Sequence, residues 1–463
     1  MALRLFVFLC LLSASRALYK QWIPDTNFER ASNWDKERVP CANDRLSFLP
    51  QKEVSVYVQS AHSISEMTLP RDGEFILAPD AGFVASDGLE AGCEGGDTIT
   101  FKDADGLQWF DPELWQAASS SDDLEKGNFL FSVHAESVPC QYDDVIFRPE
   151  TSFRVNTSAD TPRIPVRSVS ILGKRFSREP QFSQYLQSPL GRLQFHGDHS
   201  PQVTGSRCTD PSGCLCGNSE NHQRICSAIT QNCPQLDCKT PLQPTGHCCT
   251  VCGAIITLQF SQEFNLESYR ARLQHLFLSQ HRYHEVHMAV SKVPGTQRGL
   301  WLIPRQGKPE IQVVLVDSKG SVAEALAREI MEDIKTQGGH LGIADAELQT
   351  SGNEAAGRSG GVVAGGVIGA LVLLGGIALV AFLFTCGVIR PPPLPSFPSW
   401  KKRESDDLGG PIDQGFDNPI FDKASELPEI PGLHGGNALN TLSFTQSGVH
   451  FVNPLYDETD LNV

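Results

Sequence analysis

The chain has 463 residues, with 38 Lys and Arg against 54 Asp and Glu, for a formal charge of −16. At about 150 residues per domain, that length allows two to four domains with real cores. The acidic balance excludes a dedicated nucleic-acid binder, which needs a basic face.

Residues 1–17 read as a secretory signal peptide. Arg4 supplies the positive start, Leu5 to Leu12 the apolar run, and Ser15 and Ala17 the small residues before a cut after Ala17. Two β-units are predicted next, over 18–125 and 126–205. Val39-Pro40-Cys41 and Val138-Pro139-Cys140 open two copies of one pattern, each followed by Asp, Phe and Pro at a constant offset of 99. Val54, Val56 and Val58 alternate in the first copy, Phe153 and Val155 in the second. Such alternation, broken by Pro, Gly and Asp, predicts short half-buried strands. Trp34 and Pro40 with short Val-rich strands resemble the first turns of parallel β-helix proteins, and no aligned Trp is expected in the second copy. A pair of antiparallel sandwiches is the rival architecture. Asp103-Ala104-Asp105-Gly106 lacks the full ligand set of a calcium loop and reads as a turn. Asn156-Thr157-Ser158 is a glycosylation sequon just after a strand.

Residues 206–253 form a cysteine module with few large apolar residues, so cross-links must replace a core. It holds Cys208, Cys214, Cys216, Cys226, Cys233, Cys238, Cys248, Cys249 and Cys252. Cys214-Leu215-Cys216 and Cys248-Cys249-Thr250-Val251-Cys252 resemble the von Willebrand factor type C (chordin-like) module, which carries ten cysteines where this stretch has nine. Secretion favours disulfides over zinc. Nine cannot all pair among themselves. Either one of Cys41, Cys93 and Cys140 bonds into the cluster while the other two pair, or all three cross over.

Residues 254–350 read as an α+β domain of order βαββαβ. Strands are expected at Ile256 to Phe260, Val286 to Val290, Ile311 to Leu315 and Ile343 to Leu348. Asn265 is expected to cap a helix burying Leu266, Tyr269, Leu273, Leu276 and Phe277. Ser321 and Glu324 suggest a capping box for a second helix. His281, His284 and His287 cluster at a turn without completing a known metal pattern. After a polar linker, 351–359, the uncharged stretch 360–389 is long enough to cross a bilayer as one helix. Arg390, Lys401, Lys402 and Arg403 follow it, which predicts a type I orientation with a cytosolic C-terminus. The tail, 390–463, is low in apolar residues and expected to be disordered.

Two tail motifs carry the functional signal: Phe416-Asp417-Asn418-Pro419-Ile420-Phe421 and Phe451-Val452-Asn453-Pro454-Leu455-Tyr456. The residues before each Phe can add to a sheet edge. Asn and Pro start a turn that delivers the last aromatic to a pocket. The motifs are similar to Asn-Pro-x-Tyr internalisation signals read by phosphotyrosine-binding (PTB) domains of clathrin adaptors. The predicted contacts are Phe416, Asn418, Pro419, Phe421, Phe451, Asn453, Pro454 and Tyr456. Phe421 has no hydroxyl, so its site needs no phosphorylation.

Signal peptide, repeated Val-Pro-Cys region, cysteine module, one span and two tail motifs together resemble the amnionless family over the full length. The resemblance implies a non-enzymatic subunit that anchors cubilin at the apical membrane. It also implies clathrin-mediated uptake, through coated pits to endosomes, of intrinsic factor–vitamin B12 and filtered albumin-like proteins. No cofactor and no resident metal is implied. A chordin-like modulator of bone morphogenetic proteins is the alternative, on the strength of the cysteine module.

Overall fold

The computed structural model describes residues 18–86, 96–295, 307–318, 320–352, 440–445 and 448–452. A first strand, β1 (Tyr19–Trp22), is followed by β2 (Arg45–Ser47), β3 (Glu53–Val58) and β4 (Ala61–Ile64). The next three are β5 (Glu66–Thr68), β6 (Asp72–Leu77) and β7 (Gly82–Ala85). Each lies parallel beside its counterpart: Leu46 faces Met67, Val56 faces Phe75 and Ser63 faces Val84. The facing residues are 21, 19 and 21 positions apart, so the chain winds as a three-sided coil rather than folding back in hairpins. β8 (Thr98–Thr100) adds parallel to the other edge of β2. Inward-facing Phe28, Trp34, Phe48, Val56, Phe75 and Ile99 fill this coil. The Trp34 indole donates to Phe28 O at 2.7 Å, and its ring meets Phe28 and Phe101 edge-on, both at 5.0 Å. Such aromatic pairs add about 0.5–1.5 kcal/mol each beyond the area they bury.

The second coil repeats the first. It contains β9 (Trp115–Ala118), β10 (Asp144–Ile146), β11 (Val155–Asn156), β12 (Ile164–Val166), β13 (Ser168–Ile171) and β14 (Lys174–Phe176), then β15 (Phe195–His196) and β16 (Pro201–Val203). β10, β11 and β12 pair parallel with β13, β15 and β16. The Trp expected to be missing is present. Trp115 donates to Trp109 O at 2.7 Å, six residues back, as Trp34 does to Phe28. Its offset from Trp34 is 81, not 99, because extra residues holding α1 (Ser121–Lys126) and α2 (His134–Ser137) intervene before Cys140. A further insertion, α3 (Glu179–Gln187) and α4 (Pro189–Gln194), separates β14 from β15.

β1 does not belong to the first coil. It runs parallel to β10 and antiparallel to β9, in the place that β8 takes beside β2. The backbone bonds match: Arg45 N donates to Asp97 O at 2.8 Å, Asp144 N to Leu18 O at 2.9 Å. A buried arginine joins the coils. Arg154 binds Asp105 at 2.8 Å, Leu193 O at 2.5 Å and Glu53, on β3, at 3.4 Å.

The cysteine module has one sizeable helix, α5 (His222–Ile229). The α+β domain comprises β17 (Gly253–Phe260), α6 (Leu266–Leu273), β18 (His287–Gly295), β19 (Gly307–Val316), α7 (Ser321–Gln337) and β20 (Ile343–Thr350). Its antiparallel sheet has the order β18-β19-β17-β20, which interleaves the two halves of the βαββαβ chain. Asn265 caps α6 through Ser268 N at 2.9 Å. A π-turn at Gln274–Leu278 then shifts the helical face, so Phe277 is buried while Leu276, expected inside, is exposed. The cap of α7 also differs from expectation. Gly320 enters at φ 79°, and Asp317 rather than Ser321 accepts from Gly320, Val322 (2.8 Å) and Ala323 (3.2 Å).

Part of the tail is ordered, contrary to expectation. β21 (Asn440–Thr445) and β22 (Gly448–Val452) form a hairpin, and β21 pairs antiparallel with β6. Thr441-Leu442-Ser443-Phe444 alternates with a period of two, and Gly448 opens the partner strand, a signal that the low apolar content masked. Among the described residues no helix is long and apolar enough to cross a membrane; the predicted span, 360–389, lies outside them.

Candidate functional site

Of the two tail motifs, Phe416, Asn418, Pro419 and Phe421 lie outside the described residues, as do Asn453, Pro454 and Tyr456. Phe451 is in β22, with its backbone opposite Leu442.

The ectodomain cysteines are resolved further. Cys140 is the residue that crosses into the module, bonding Cys216. The remaining bridges among the described residues are Cys208–Cys214, Cys226–Cys248, Cys233–Cys249 and Cys238–Cys252. Cys41 is disulfide-bonded, and Cys93 lies outside the described residues. The odd cysteine thus fastens the module to the second coil. Polar bonds complete the attachment: Asn218 donates to Ala135 O at 2.9 Å, and Ala135 N to Gly246 O at 2.8 Å. On its other side the module meets the α+β sheet. Lys292 donates to Asp210 at 2.6 Å and Ser212 at 2.8 Å, and Gln312 makes a two-way amide pair with Thr245.

Where these parts meet there is a cavity of about 80 Å³, lined by Leu18, Lys20, Glu136, Asp143 and Arg270 among others. Burial drives its titrations. Desolvation holds Lys20 below the ordinary lysine range despite the nearby Asp143 and Glu136. It pushes Glu136 up to about 7 and raises Asp143, against the pull of Lys20. Sequence reading missed this cluster because its members come from positions far apart in the chain.

A second cluster adjoins the module. His134 and His247 stack with ring centroids 3.8 Å apart. Cys248 N donates to His134 Nδ1 at 2.9 Å, so that nitrogen is held unprotonated. Desolvation first, and a neighbouring imidazole second, push both down to about 4. The histidines noted in the sequence behave differently. His281 and His284 form a turn in which His284 Nδ1 donates to His281 O at 2.6 Å, while His287 opens β18 and faces Phe131. Asp103 and Asp105 are a turn clamped by Lys52, at 2.6 and 3.1 Å.

Asn156 sits on β11, half-buried, with both backbone groups committed to Leu107 and Trp109 at 2.8 Å. Its Oδ1 accepts from Ser158 N at 2.9 Å, making an Asx turn within the sequon.

The profile of the Amnionless family matches residues 19–457. Human Protein amnionless is 39% identical over 98% of this chain and 97% of its own length. The dog protein of that name is 38% identical over 99% of each. A fruit-fly protein of the same name is 24% identical over 50% of this chain and 44% of its own length. With full-length similarity spanning both coils, the cysteine module, the α+β domain and the tail, this chain belongs to the Amnionless family.

Proposed function

We propose that this chain is a single-pass type I receptor subunit without catalytic activity, which holds cubilin at the apical surface. Its tail recruits PTB-domain clathrin adaptors, which carry the complex and its cargo, intrinsic factor–vitamin B12 or filtered proteins, through coated pits to endosomes. The observation that carries this reading is the pair of Phe-x-Asn-Pro-x-aromatic motifs beyond an uncharged stretch of membrane-spanning length. Family membership and the disulfides of an oxidising compartment support it. In a chain inserted through 360–389, the tail hairpin and β6 lie on opposite sides of the bilayer. That topology does not allow their pairing, and it leaves Phe451 open to adaptors. The test is surface uptake after Asn418→Ala and Asn453→Ala. Two sites acting in parallel predict mild single losses and a severe combined one. Unchanged uptake in the double variant would sink the tail mechanism.

A second reading, a modulator of bone morphogenetic proteins, is favoured by the module's cysteine spacing. Mass spectrometry of co-purified partners separates the two. A large cubilin-like partner supports the receptor, a growth-factor dimer the modulator.

A further inference from the structure

The two coils differ at one carboxylate. In the first, Asp44 closes the turn after Cys41 by accepting from Cys41 N at 2.8 Å and Asp97 N at 3.1 Å, and Arg38 neutralises it with two bonds of 2.7 and 3.0 Å. In the second, Asp143 accepts from Cys140 N at 2.9 Å and from the backbone N–H of Leu18, the counterpart of Asp97. The position matching Arg38 is Ser137. Among the described residues Asp143 has no side-chain ion pair like that of Asp44. Lys20 acts on Asp143 through its charge but makes its hydrogen bond to Glu136 O rather than an ion pair with Asp143, and Arg167 and Arg175 are taken by Asp144. Arg270 is paired with Glu267. A buried carboxylate is thus left without the partner its twin has, beside a small cavity that reaches Leu18.

Leu18 is also the residue that follows the expected signal-peptide cut. Hydrolysis of the Ala17–Leu18 bond by water leaves a carboxylate on Ala17 and an amine on Leu18, protonated at neutral pH. We propose that the α-ammonium of Leu18 is the missing cation: cleavage creates it in place, and it pairs with Asp143 as Arg38 pairs with Asp44. Removal of the signal peptide is then a step in completing the second coil as well as a release from the secretion machinery. A precursor, or a chain starting a few residues earlier, has only a neutral N–H at this position. The proposal is independent of the receptor reading and depends only on the cleavage position.

The test uses the full chain, secreted through its own signal and purified in detergent. The first residue is determined by mass spectrometry. Amine acylation at neutral pH then compares the Leu18 amine in the folded chain with the same amine in urea. A chain carrying Gly-Ser inserted between Ala17 and Leu18 is melted alongside, with and without Asp143→Asn. The expected results are a chain starting at Leu18 and acylation slowed about tenfold or more by folding, equivalent to a one-unit pKa rise. The insertion should lower the melting midpoint by about 2–4 °C, and by nothing further once Asp143 is Asn. A different first residue, acylation as fast as in urea, or an insertion without thermal effect would each overturn the proposal. The acylation result stands even if the Asn variant does not fold.

Discussion

Replacing Arg154 by Met should loosen the joint between the two coils. The side chain is 4% exposed and makes two short bonds, to Asp105 at 2.8 Å and Leu193 O at 2.5 Å, plus a longer one to Glu53. Hydrogen bonds to a charged group contribute about 1.5–3 kcal/mol each, and breaking a buried pair costs about 3–5 kcal/mol. Asp105 keeps Lys52 at 3.1 Å and some water, being 25% exposed. This places the loss near the lower limit, about 3 kcal/mol. At about 2–4 °C per kcal/mol, the melting midpoint of the detergent-purified chain should fall by roughly 6–12 °C at pH 7. Asp105→Asn alone should be milder, and the double variant should lose less than the sum. Burial acts to raise the Asp105 carboxyl, but Arg154 and Lys52 overcome it and hold it below its ordinary value. The stabilisation from this group is therefore present above the unfolded pKa and is lost as pH falls through the lower folded one. The Met variant should show a shallower acid limb. A midpoint shift below about 2 °C, or full additivity with Asp105→Asn, would refute the account of Arg154 as a joint.

The stacked His134 and His247 take up protons near pH 6.5 when unfolded but only at about 4 when folded, so stability should decline from pH 6.5 towards 4. Melting curves across that range should show this slope, flattened in His247→Phe. Asp317→Ala removes the acceptor for three N–H groups at the start of α7 and should cost about 1–2 kcal/mol in chemical denaturation, whereas Ser321→Ala should be near neutral. Cys140→Ser opens a bridge with a sequence separation of 76, worth about 4.5 kcal/mol by loop entropy, and frees Cys216 for alkylation. Alkylation and peptide mapping that find Cys216 still bonded in this variant would rule out the Cys140–Cys216 bridge.

How much of this was legible in the sequence varied with element length. The α+β domain was read nearly strand by strand, because its strands run eight to ten residues and its helices show a clear apolar face. Its errors were local. The π-turn exposes Leu276, and Asp317 caps α7 from outside the helix, where a search for a box at Ser321 does not look. In the coils, β11 and β15 have two residues each, too few to show any period. The repeat was visible from Val39 onward, but the constant offset failed upstream of Val138, and Trp115 went unmatched. In the tail the sequence offers the chemistry of the two motifs, and of their predicted contacts only Phe451 lies among the described residues. The buried cluster of Lys20, Glu136 and Asp143 was not, since only folding brings those residues together.

The placement of β1 sets a schedule for the growing chain. Tyr19 pairs with Asp144, 125 residues later, so at about 5–20 residues per second the strand waits roughly 6–25 s for its parallel partner. The free edge of β2 is made much sooner, and until Thr98–Thr100 is synthesised nothing fills it. A vacant slot of the right geometry therefore waits beside a strand of the right geometry in the wrong coil. The residue that tells them apart is Lys20. It holds the register of Ile99, which is wholly buried in the apolar interior of the first coil. Inserted there, Lys20 would lose the Glu136 carbonyl that accepts its hydrogen bond and the favourable field of the nearby Asp143. An early mispairing would thus bury an uncompensated charge and reverse before it could trap the nascent protein.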